Sequence, residues 1–458
     1  MVDSDITIGV LSRRIPIALN DQSGPVIEHV GGLTRVLPAL SEFAKINWSA
    51  FTAGELQDLP NQISYAEVSG QNLSNEINVC IAAVSGDDLN QSDWFCAKYI
   101  WPLLHDLPIP EIQIAELNEC LASINRLGRE MATKCLDASN DGYLVNDFQL
   151  SQVPMTLREL APEKSTVFFL HTPWSKVISS NALAINVLKF LANGMLAADV
   201  IEFQTHKDLE AFEVFVSEHL PLENVTEKLK VNPVSVNVQE LSEQVHGNPS
   251  SHEFGESEIS YLHVARSDPI KNTLATIRAF ATWLSESSKH QPRTYLDLFI
   301  VPSRQQWPEY RDLLREIASC VESYNSKLAP LNYRPIRLHL GSDYQKVIQA
   351  FTRYDFLIAC SVSDGLNLVV KEGAVLNNRN GVIISTESVG AMAELGRYCV
   401  VAEDVDEESI AAALHLAADL DSETRQSMCF QLKAQIAEFD ASLWAQSVVA
   451  NFRILEKV

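Results

Sequence analysis

Two α/β domains, each a parallel sheet wound on both faces by helices, are what this sequence predicts. Three observations carry that expectation. Apolar runs of strand length alternate with segments of helical periodicity along the whole chain. The alternation restarts after Gly247-Asn248-Pro249-Ser250-Ser251-His252, a polar stretch rich in breakers. Polar and charged residues recur at the carboxyl ends of the apolar runs, where open parallel sheets bind their ligands.

The first half opens with Ile6–Leu11, an apolar strand ending in Ser12-Arg13-Arg14. A turn-rich stretch, Asn20 to Pro25, follows. Gly31-Gly32-Leu33 then opens an amphipathic helix through Phe43, and paired glycines at a helix start let backbone approach a phosphate closely. Ile77–Val84 is the next strand, Trp94–Leu104 reads as helical core, and Ile114–Leu136 has helical periodicity. Gly142–Asp147 and Thr166–Leu170 are strands, with the helix Val153–Leu160 between them. A helix over 180–196 and the strand Ala198–Phe203 complete this half, so Arg14, Asp147, His171 and Gln204 are candidates at strand ends. In the second half the strands are Ile259–Val264, Tyr295–Val301, Ile336–Leu340, Phe356–Cys360, Gly381–Ser385 and Cys399–Val401. The expected architecture is two Rossmann-like domains facing across a cleft: residues 1–245, residues 246–433, and a terminal helix, 434–458, packing back on the first.

A chain of 458 residues, 46% hydrophobic and 21% charged, has ample core for two or three soluble domains. The 35 basic and 59 acidic residues give a net charge of −24. Such a chain is not built for non-specific nucleic-acid or anionic-membrane binding, and the positions of its few cations are informative. Eight cysteines are scattered with no Cys-x-x-Cys pair, several in apolar runs. They read as reduced core residues, neither ligands nor disulfides, of a cytoplasmic protein. The start, Met-Val-Asp-Ser-Asp, lacks the basic and apolar regions of a signal peptide, and no apolar run reaches the length of a membrane span.

Three cations stand at successive strand ends. Arg266 and Lys271 straddle Asp268-Pro269, and Arg304 ends Val301-Pro302-Ser303-Arg304. Facing one site, such cations clamp a diphosphate and stabilise it as a leaving group. Asp364-Gly365-Leu366-Asn367-Leu368-Val369 follows the strand Phe356–Cys360 and runs into a helix. A strand end, a turn and a helix start gather backbone N–H groups and the positive end of the helix dipole, which suits an anion. Asp364 can accept from sugar hydroxyls, and Glu372, read as two turns into the helix, can reach a ribose. His171 has no Ser/Asp or Cys partner in a triad order, and no His/Cys/Asp cluster has metal-ligand spacing. The P-loop and Gly-x-Gly-x-x-Gly signatures are absent.

The ordered set resembles glycosyltransferase family 20, the trehalose-6-phosphate synthases and their relatives. The resemblance spans Ser12-Arg13-Arg14-Ile15-Pro16, Gly31-Gly32-Leu33, Trp101-Pro102-Leu103-Leu104-His105, Asp147-Phe148-Gln149-Leu150 and Phe169-Leu170-His171-Thr172-Pro173. It continues through Glu202-Phe203-Gln204-Thr205, Arg266-x-Asp268-x-x-Lys271, Val301–Arg304 and Asp364–Glu372. It implies a GT-B fold and a retaining, metal-independent transfer with no cofactor, from a nucleotide-sugar to a small phosphorylated acceptor. It also implies the roles. His171, Asp147, Arg266 and Lys271 are the catalytic set. Gly31, Gly32, Asp364, Gly365, Leu366, Asn367, Leu368, Val369 and Glu372 hold the donor. Arg14, Trp101 and Arg304 hold the acceptor. No metal, nucleic acid or membrane is involved, and a homo-oligomer is compatible with it.

The sequence departs from the family pattern on the acceptor side. Ser-Asn-Arg is Ser12-Arg13-Arg14 here, His-Asp-Tyr-His is Asn146-Asp147-Phe148-Gln149, and the Trp-rich Gly-Trp-Ser-Gly segment is Trp48-Ser49-Ala50-Phe51-Thr52-Ala53-Gly54-Glu55. A Tyr before Trp101 is Ser92. The donor motifs are nearly intact. Two branches fit the altered half: synthases using glycerol 3-phosphate to give glucosylglycerol phosphate, and the cyclitol-coupling validoxylamine type, which shares Asp268-Pro269-Ile270-Lys271-Asn272; glucose 6-phosphate, giving trehalose 6-phosphate, is the acceptor of the ordinary family activity. A non-catalytic regulatory member is the rival of another class. Base specificity, acceptor and oligomeric state are left open by the sequence.

Overall fold

The apolar runs become the strands of two sheets, and the central runs are buried on both faces. The computed structural model describes residues 6–13, 17–20, 24–27, 32–53, 63–69, 73–176, 181–221, 225–246, 258–287, 293–328, 332–341 and 343–455. The strands are, in chain order, β1 (Thr7–Leu11), β2 (Ile17–Asn20), β3 (Gly24–Ile27), β4 (Lys45–Ala53), β5 (Ile63–Ser64), β6 (Ile77–Val84), β7 (Gly142–Asn146) and β8 (Ser165–Leu170). They continue as β9 (Val200–Phe203), β10 (Leu229–Val231), β11 (Ile259–Arg266), β12 (Thr294–Val301), β13 (Ile336–Leu340), β14 (Phe356–Ala359), β15 (Val382–Thr386) and β16 (Val400–Ala402). Every residue of β7, β14 and β15 is buried, the signature of a strand covered by helices on both sides.

The chain divides into two compact units. The first comprises Met1–Val234 and Ala441–Val458, the second Ser235–Asp440. The first unit's sheet runs β10-β9-β8-β7-β1-β4-β6-β5, parallel except for the short edge pair β5–β6. Its core includes Leu11, Phe51, Phe95, Leu104, Phe168 and Leu191. The second unit's sheet runs β13-β12-β11-β14-β15-β16, parallel throughout, over a core of Tyr261, Phe280, Trp283, Leu298 and Ile384. Each such side chain taken from water stabilises the fold by roughly 1.5–3 kcal/mol before entropy is counted. In each sheet the first strand is central, β1 between β7 and β4, and β11 between β12 and β14. Chain direction across the sheet reverses there, and the loops leaving those strands part to form a crevice.

Several elements differ from the sequence reading, each for a local reason. The helix opened by Gly32 is α-helical only to Val36 and continues as a 3-10 helix, Leu37–Glu42. Pro38 has no N–H to return to the carbonyl of Thr34, so the α ladder stops. Trp94–Leu104 is helical but contains a π turn, Cys96–Ile100, closed by the Trp101 N–H on the Cys96 carbonyl. Pro102 follows and cannot donate to Lys98, which fits the widening. Asn20 and Gly24-Pro25, read as part of a turn-rich stretch, belong to the paired strands of an antiparallel ribbon, β2–β3. Lys45–Ala53, with Trp48 and Phe51 in the core, is a full strand between β1 and β6.

The change of unit falls at Val234/Ser235, where the sequence places it at 245/246. Helix Val238–His246 lies in the second unit and packs on its helices Tyr344–Phe351 and Leu368–Leu376. The return to the first unit falls at Asp440/Ala441 and not at 433/434, because helix Ser422–Glu438 runs unbroken through that point. The last helix, Ala441–Leu455, packs on Leu37–Glu42 and on β8, with Trp444 edge-on to Phe169 at 6.0 Å.

A buried carboxyl ties this last helix to the sheet. Glu202, on β9 and fully enclosed, accepts at Oε1 from Asn451 (2.7 Å) and Asn232 (3.1 Å). Its Oε2 has no hydrogen-bond partner among the described residues. Burial pushes its pKa up to about 7, against the two amide hydrogen bonds and the Lys230 charge, which lower it. A carboxyl raised in the fold contributes stability that is complete below its unfolded pKa and lost as pH rises through the folded one. Wild-type stability should therefore fall between pH 5 and pH 8 by up to about 3 kcal/mol from this group. Glu202→Gln should flatten that slope in thermal unfolding at pH 5, 6, 7 and 8; parallel profiles for the two proteins would contradict it.

Candidate functional site

In the first unit, polar side chains at the carboxyl ends of neighbouring strands link into one chain of hydrogen bonds. It runs in sheet order from β1 through β7, β8 and β9 to Val234, three residues beyond β10. Asn146 Nδ2 donates to the Leu11 carbonyl at 3.1 Å, which turns its Oδ1 toward His171 Nε2 at 3.0 Å. The Val234 N–H donates to Gln204 Oε1 at 2.9 Å, which turns Nε2 toward His171 Nδ1 at 3.2 Å. These amide orientations fix the imidazole as neutral, with its proton on Nε2 and its Nδ1 lone pair occupied. Burial against neighbours such as Phe169, stacked at 4.3 Å, pushes the His171 pKa down to about 3. His171 thus sits as a held, uncharged ring with both nitrogens engaged.

Asp147 follows Asn146 in a backbone conformation that L residues rarely adopt, φ +72°. Its N–H donates to the Phe169 carbonyl (2.8 Å) and its carbonyl accepts from Leu150 (3.0 Å), so the surroundings over-determine it. Strain held this way clusters at functional sites. Beside it, Arg13 is clamped by Asp93, Nε to Oδ1 at 3.0 Å and Nη2 to Oδ2 at 2.5 Å, and by the Phe51 carbonyl at 3.1 Å. One of the sequence departures, Arg13, is thus in an ion pair whose other member, Asp93, follows a second departure, Ser92, in the chain. The Trp101 ring lies tilted against His105, centroids 4.0 Å apart, and approaches Phe148 at 6.1 Å. Arg14 and Gly31 lie outside the described residues. Gly32 begins the helix Gly32–Val36.

In the second unit the predicted residues gather at the carboxyl ends of β11, β12 and β14. Lys271, in a 3-10 turn after β11, is ion-paired with Asp364, in the loop after β14. Ser361 Oγ also donates to Asp364, at 3.1 Å. Loop and turn are stitched directly, the Val362 N–H to the Ile270 carbonyl at 2.7 Å. Arg266 and Arg304 converge on one carboxylate, that of Asp268. Arg304 Nη1 lies 3.0 Å from its Oδ2 and Arg266 Nη2 3.5 Å. Asn367 adopts a left-handed backbone, φ +71°, and caps the helix Leu368–Leu376. The first N–H groups of a helix lack partners within it, and here they belong to Leu368 and Val369, after the Asp364-Gly365-Leu366 turn. Glu372 is buried one turn into that helix, not two. Lys371 points inward to Glu394 at 3.1 Å, and burial pulls its pKa down.

Three contributors were not singled out from sequence. Ser388 fixes the loop after β14, its carbonyl accepting from the Asp364 N–H at 3.0 Å. Gly390 donates to the Asp364 carbonyl at 3.0 Å and packs on Gly365. Tyr310 Oη accepts from Arg304 Nη1 at 2.7 Å. Ser388-Val389-Gly390 follows the end of β15, so the strand-end rule that found Asp364 also points there; Tyr310, inside a helix, gives no such signal. Among the described residues no group of three or more His, Cys, Asp or Glu is placed to hold a metal ion, and no helix is long and apolar enough to cross a membrane.

Comparison with known proteins gives a consistent result. The chain is 26% identical over 479 residues to α,α-trehalose-phosphate synthase (UDP-forming) 2 of Aspergillus niger, covering 98% of this chain and 97% of that one. It is 27% identical over 321 residues to validamine 7-phosphate valienyltransferase of Streptomyces hygroscopicus subsp. jinggangensis, covering 66% and 64%. Its fold matches the solved α,α-trehalose-phosphate synthase (UDP-forming) of Burkholderia xenovorans in complex with glucose-6-phosphate, with a TM-score of 0.80, 19% identity, and 98% and 100% coverage. That match is the GT-B architecture expected above. The pattern of glycosyltransferase family 20 spans residues 8–454, so the chain belongs to that family and is a glycosyltransferase.

Proposed function

We propose that this enzyme moves a glucosyl-like unit from a nucleotide-sugar to a small phosphorylated acceptor, with retention of anomeric configuration. One observation carries the reading: Lys271, in the turn after β11, is ion-paired with Asp364, in the loop between β14 and the helix Leu368–Leu376, and Arg266 ends β11. A diphosphate there gains two cations and helix-terminal N–H groups; Asp364 and Glu372 take sugar and ribose hydroxyls. The family resemblance further gives Gly31 and Gly32 a part in holding the donor, Asp147 and the neutral His171 a part in holding the sugar, and Arg14, Trp101 and Arg304 a part in holding the acceptor.

The step is a front-face substitution. The bond from the anomeric carbon to the diphosphate oxygen breaks. The acceptor hydroxyl oxygen bonds that carbon on the same face, and its proton passes to the departing phosphate. His171 takes no part in that proton transfer, since both its nitrogens are engaged. Catalysis is then mostly positioning and stabilisation of the leaving group's charge, supplied by Arg266 and Lys271 without a metal.

The test offers UDP-, GDP- and ADP-glucose with glucose 6-phosphate or glycerol 3-phosphate, with and without EDTA, and identifies products by NMR. We expect an α-linked phosphorylated glucoside in either buffer. Trehalose 6-phosphate would assign glucose 6-phosphate as acceptor; glucosylglycerol phosphate would make Arg13, Asp93 and Ser92 the residues that set the substrate. Nucleotide binding without transfer to any phosphorylated acceptor would overturn the reading.

A further inference from the structure

Asp268 has an enclosed side chain, only 2% of the residue being exposed, and it directs a single oxygen at two guanidinium groups. Its other oxygen has no hydrogen-bond partner among the described residues. The two guanidiniums remain partly open, 27% of the Arg266 side chain and 13% of that of Arg304. An incoming anion therefore meets two cations and not the carboxylate behind them. Arg304 is held further. Its Nη1 donates to Tyr310 Oη at 2.7 Å, and its Cζ stands 5.3 Å from the Tyr310 ring centroid. Its backbone is left-handed, φ +50°, and its carbonyl accepts from Trp307 at 3.1 Å. The strand ends beneath are tied by the Ser303 N–H on Ser267 Oγ at 2.9 Å.

We propose that Asp268 and Tyr310 are positioning residues that hold Arg266 and Arg304 ready for the anions each of them meets. Asp268 couples the two cations, and Tyr310 orients Arg304 alone. The inference rests on the reading above, in which Arg266 meets the donor diphosphate and Arg304 the acceptor phosphate. Two like charges set side by side repel; a buried carboxylate between them removes most of that cost and leaves one net positive charge for the ligand. An arginine held at fixed geometry loses little side-chain entropy when phosphate arrives, so prepositioning appears as substrate affinity.

Steady-state kinetics with UDP-glucose and glucose 6-phosphate, or with the donor and acceptor that the product assay identifies in their place, separates the roles. Tyr310→Phe keeps the ring and removes the hydroxyl. It should raise the KM for glucose 6-phosphate about tenfold, the loss of one hydrogen bond to a charged group, with kcat and the KM for UDP-glucose within about twofold. Asp268→Asn should raise both KM values about tenfold or more. Arg304→Lys should recover part of the acceptor affinity lost in Arg304→Ala. A residue that only supported the fold would lower Tm and affect both substrates alike. Tyr310→Phe with an unchanged acceptor KM, or with both KM values raised equally, overturns the proposal. If Arg304→Ala weakens the acceptor while Tyr310→Phe and Asp268→Asn do not, the positioning roles fail and the site reading stands. If Arg304→Ala leaves the acceptor KM unchanged, both fail.

Discussion

Replacing Arg266 and Lys271 together with Ala should abolish turnover and reduce UDP binding below detection by calorimetry. Hydrogen bonds to charged groups each contribute about 1.5–3 kcal/mol. Removing one preorganised donor at a developing charge costs about 3–4 kcal/mol in the transition state, so losing two cations places the expected fall in kcat/KM at about four orders of magnitude or more. The structure adds a sharper expectation for the single change. Lys271 is ion-paired with Asp364. Lys271→Ala leaves that carboxylate unneutralised where the diphosphate is proposed to lie, so repulsion adds to the lost attraction. Lys271→Ala with Asp364→Asn should then bind UDP more tightly than Lys271→Ala alone, though without recovering transfer. Near-normal turnover in the Arg266/Lys271 double variant would remove the basis of the proposed function.

Gly390→Ala should have the second largest effect, from a residue that needs to touch no substrate. A Cβ built there lies 1.8 Å from the Gly365 carbonyl oxygen and 2.7 Å from its carbon, both backbone atoms. Neither can swing aside as a side chain does, so the Asp364-Gly365-Leu366 turn must move. That turn is pinned to the same segment by three bonds: Asp364 N–H to Ser388, Gly390 N–H to the Asp364 carbonyl, and Ala391 N–H to the Leu366 carbonyl. Displacement by about 1 Å at a catalytic position costs on the order of a hundredfold in rate, and that loss in kcat/KM is expected here, with weakened UDP binding. Gly396→Ala is the control. Its Cβ would meet only Met392 and Val401, at 3.6 and 3.9 Å, so activity should be retained. Equal activity in the two variants would mean that the loop tolerates the shift.

Much of this was legible in the residues themselves. The strands of the second unit follow from apolar runs such as Phe356–Cys360, because a strand covered on both faces excludes water whatever its neighbours are. Arg266, Lys271, Arg304 and Asp364 were found by one rule, polar residues at strand carboxyl ends; the structure pairs Lys271 with Asp364 and sets Arg266 and Arg304 on Asp268. Departures came where local chemistry competes with periodicity: Pro38 ended an α-helix early, and Pro102 followed a π turn. Tertiary structure alone decided the partners. Asn146, His171 and Gln204 are 25 and 33 residues apart in sequence and join only because β7, β8 and β9 are adjacent in the sheet. Asp268 serves two arginines only because β11 and β12 run side by side in register, with Arg266 opposite Val301. Gly390 matters only because the segment after β15 lies against the turn after β14. Sequence periodicity records whether a residue is buried; which buried or strand-end residues meet depends on strand order, a long-range outcome of packing that no local pattern encodes.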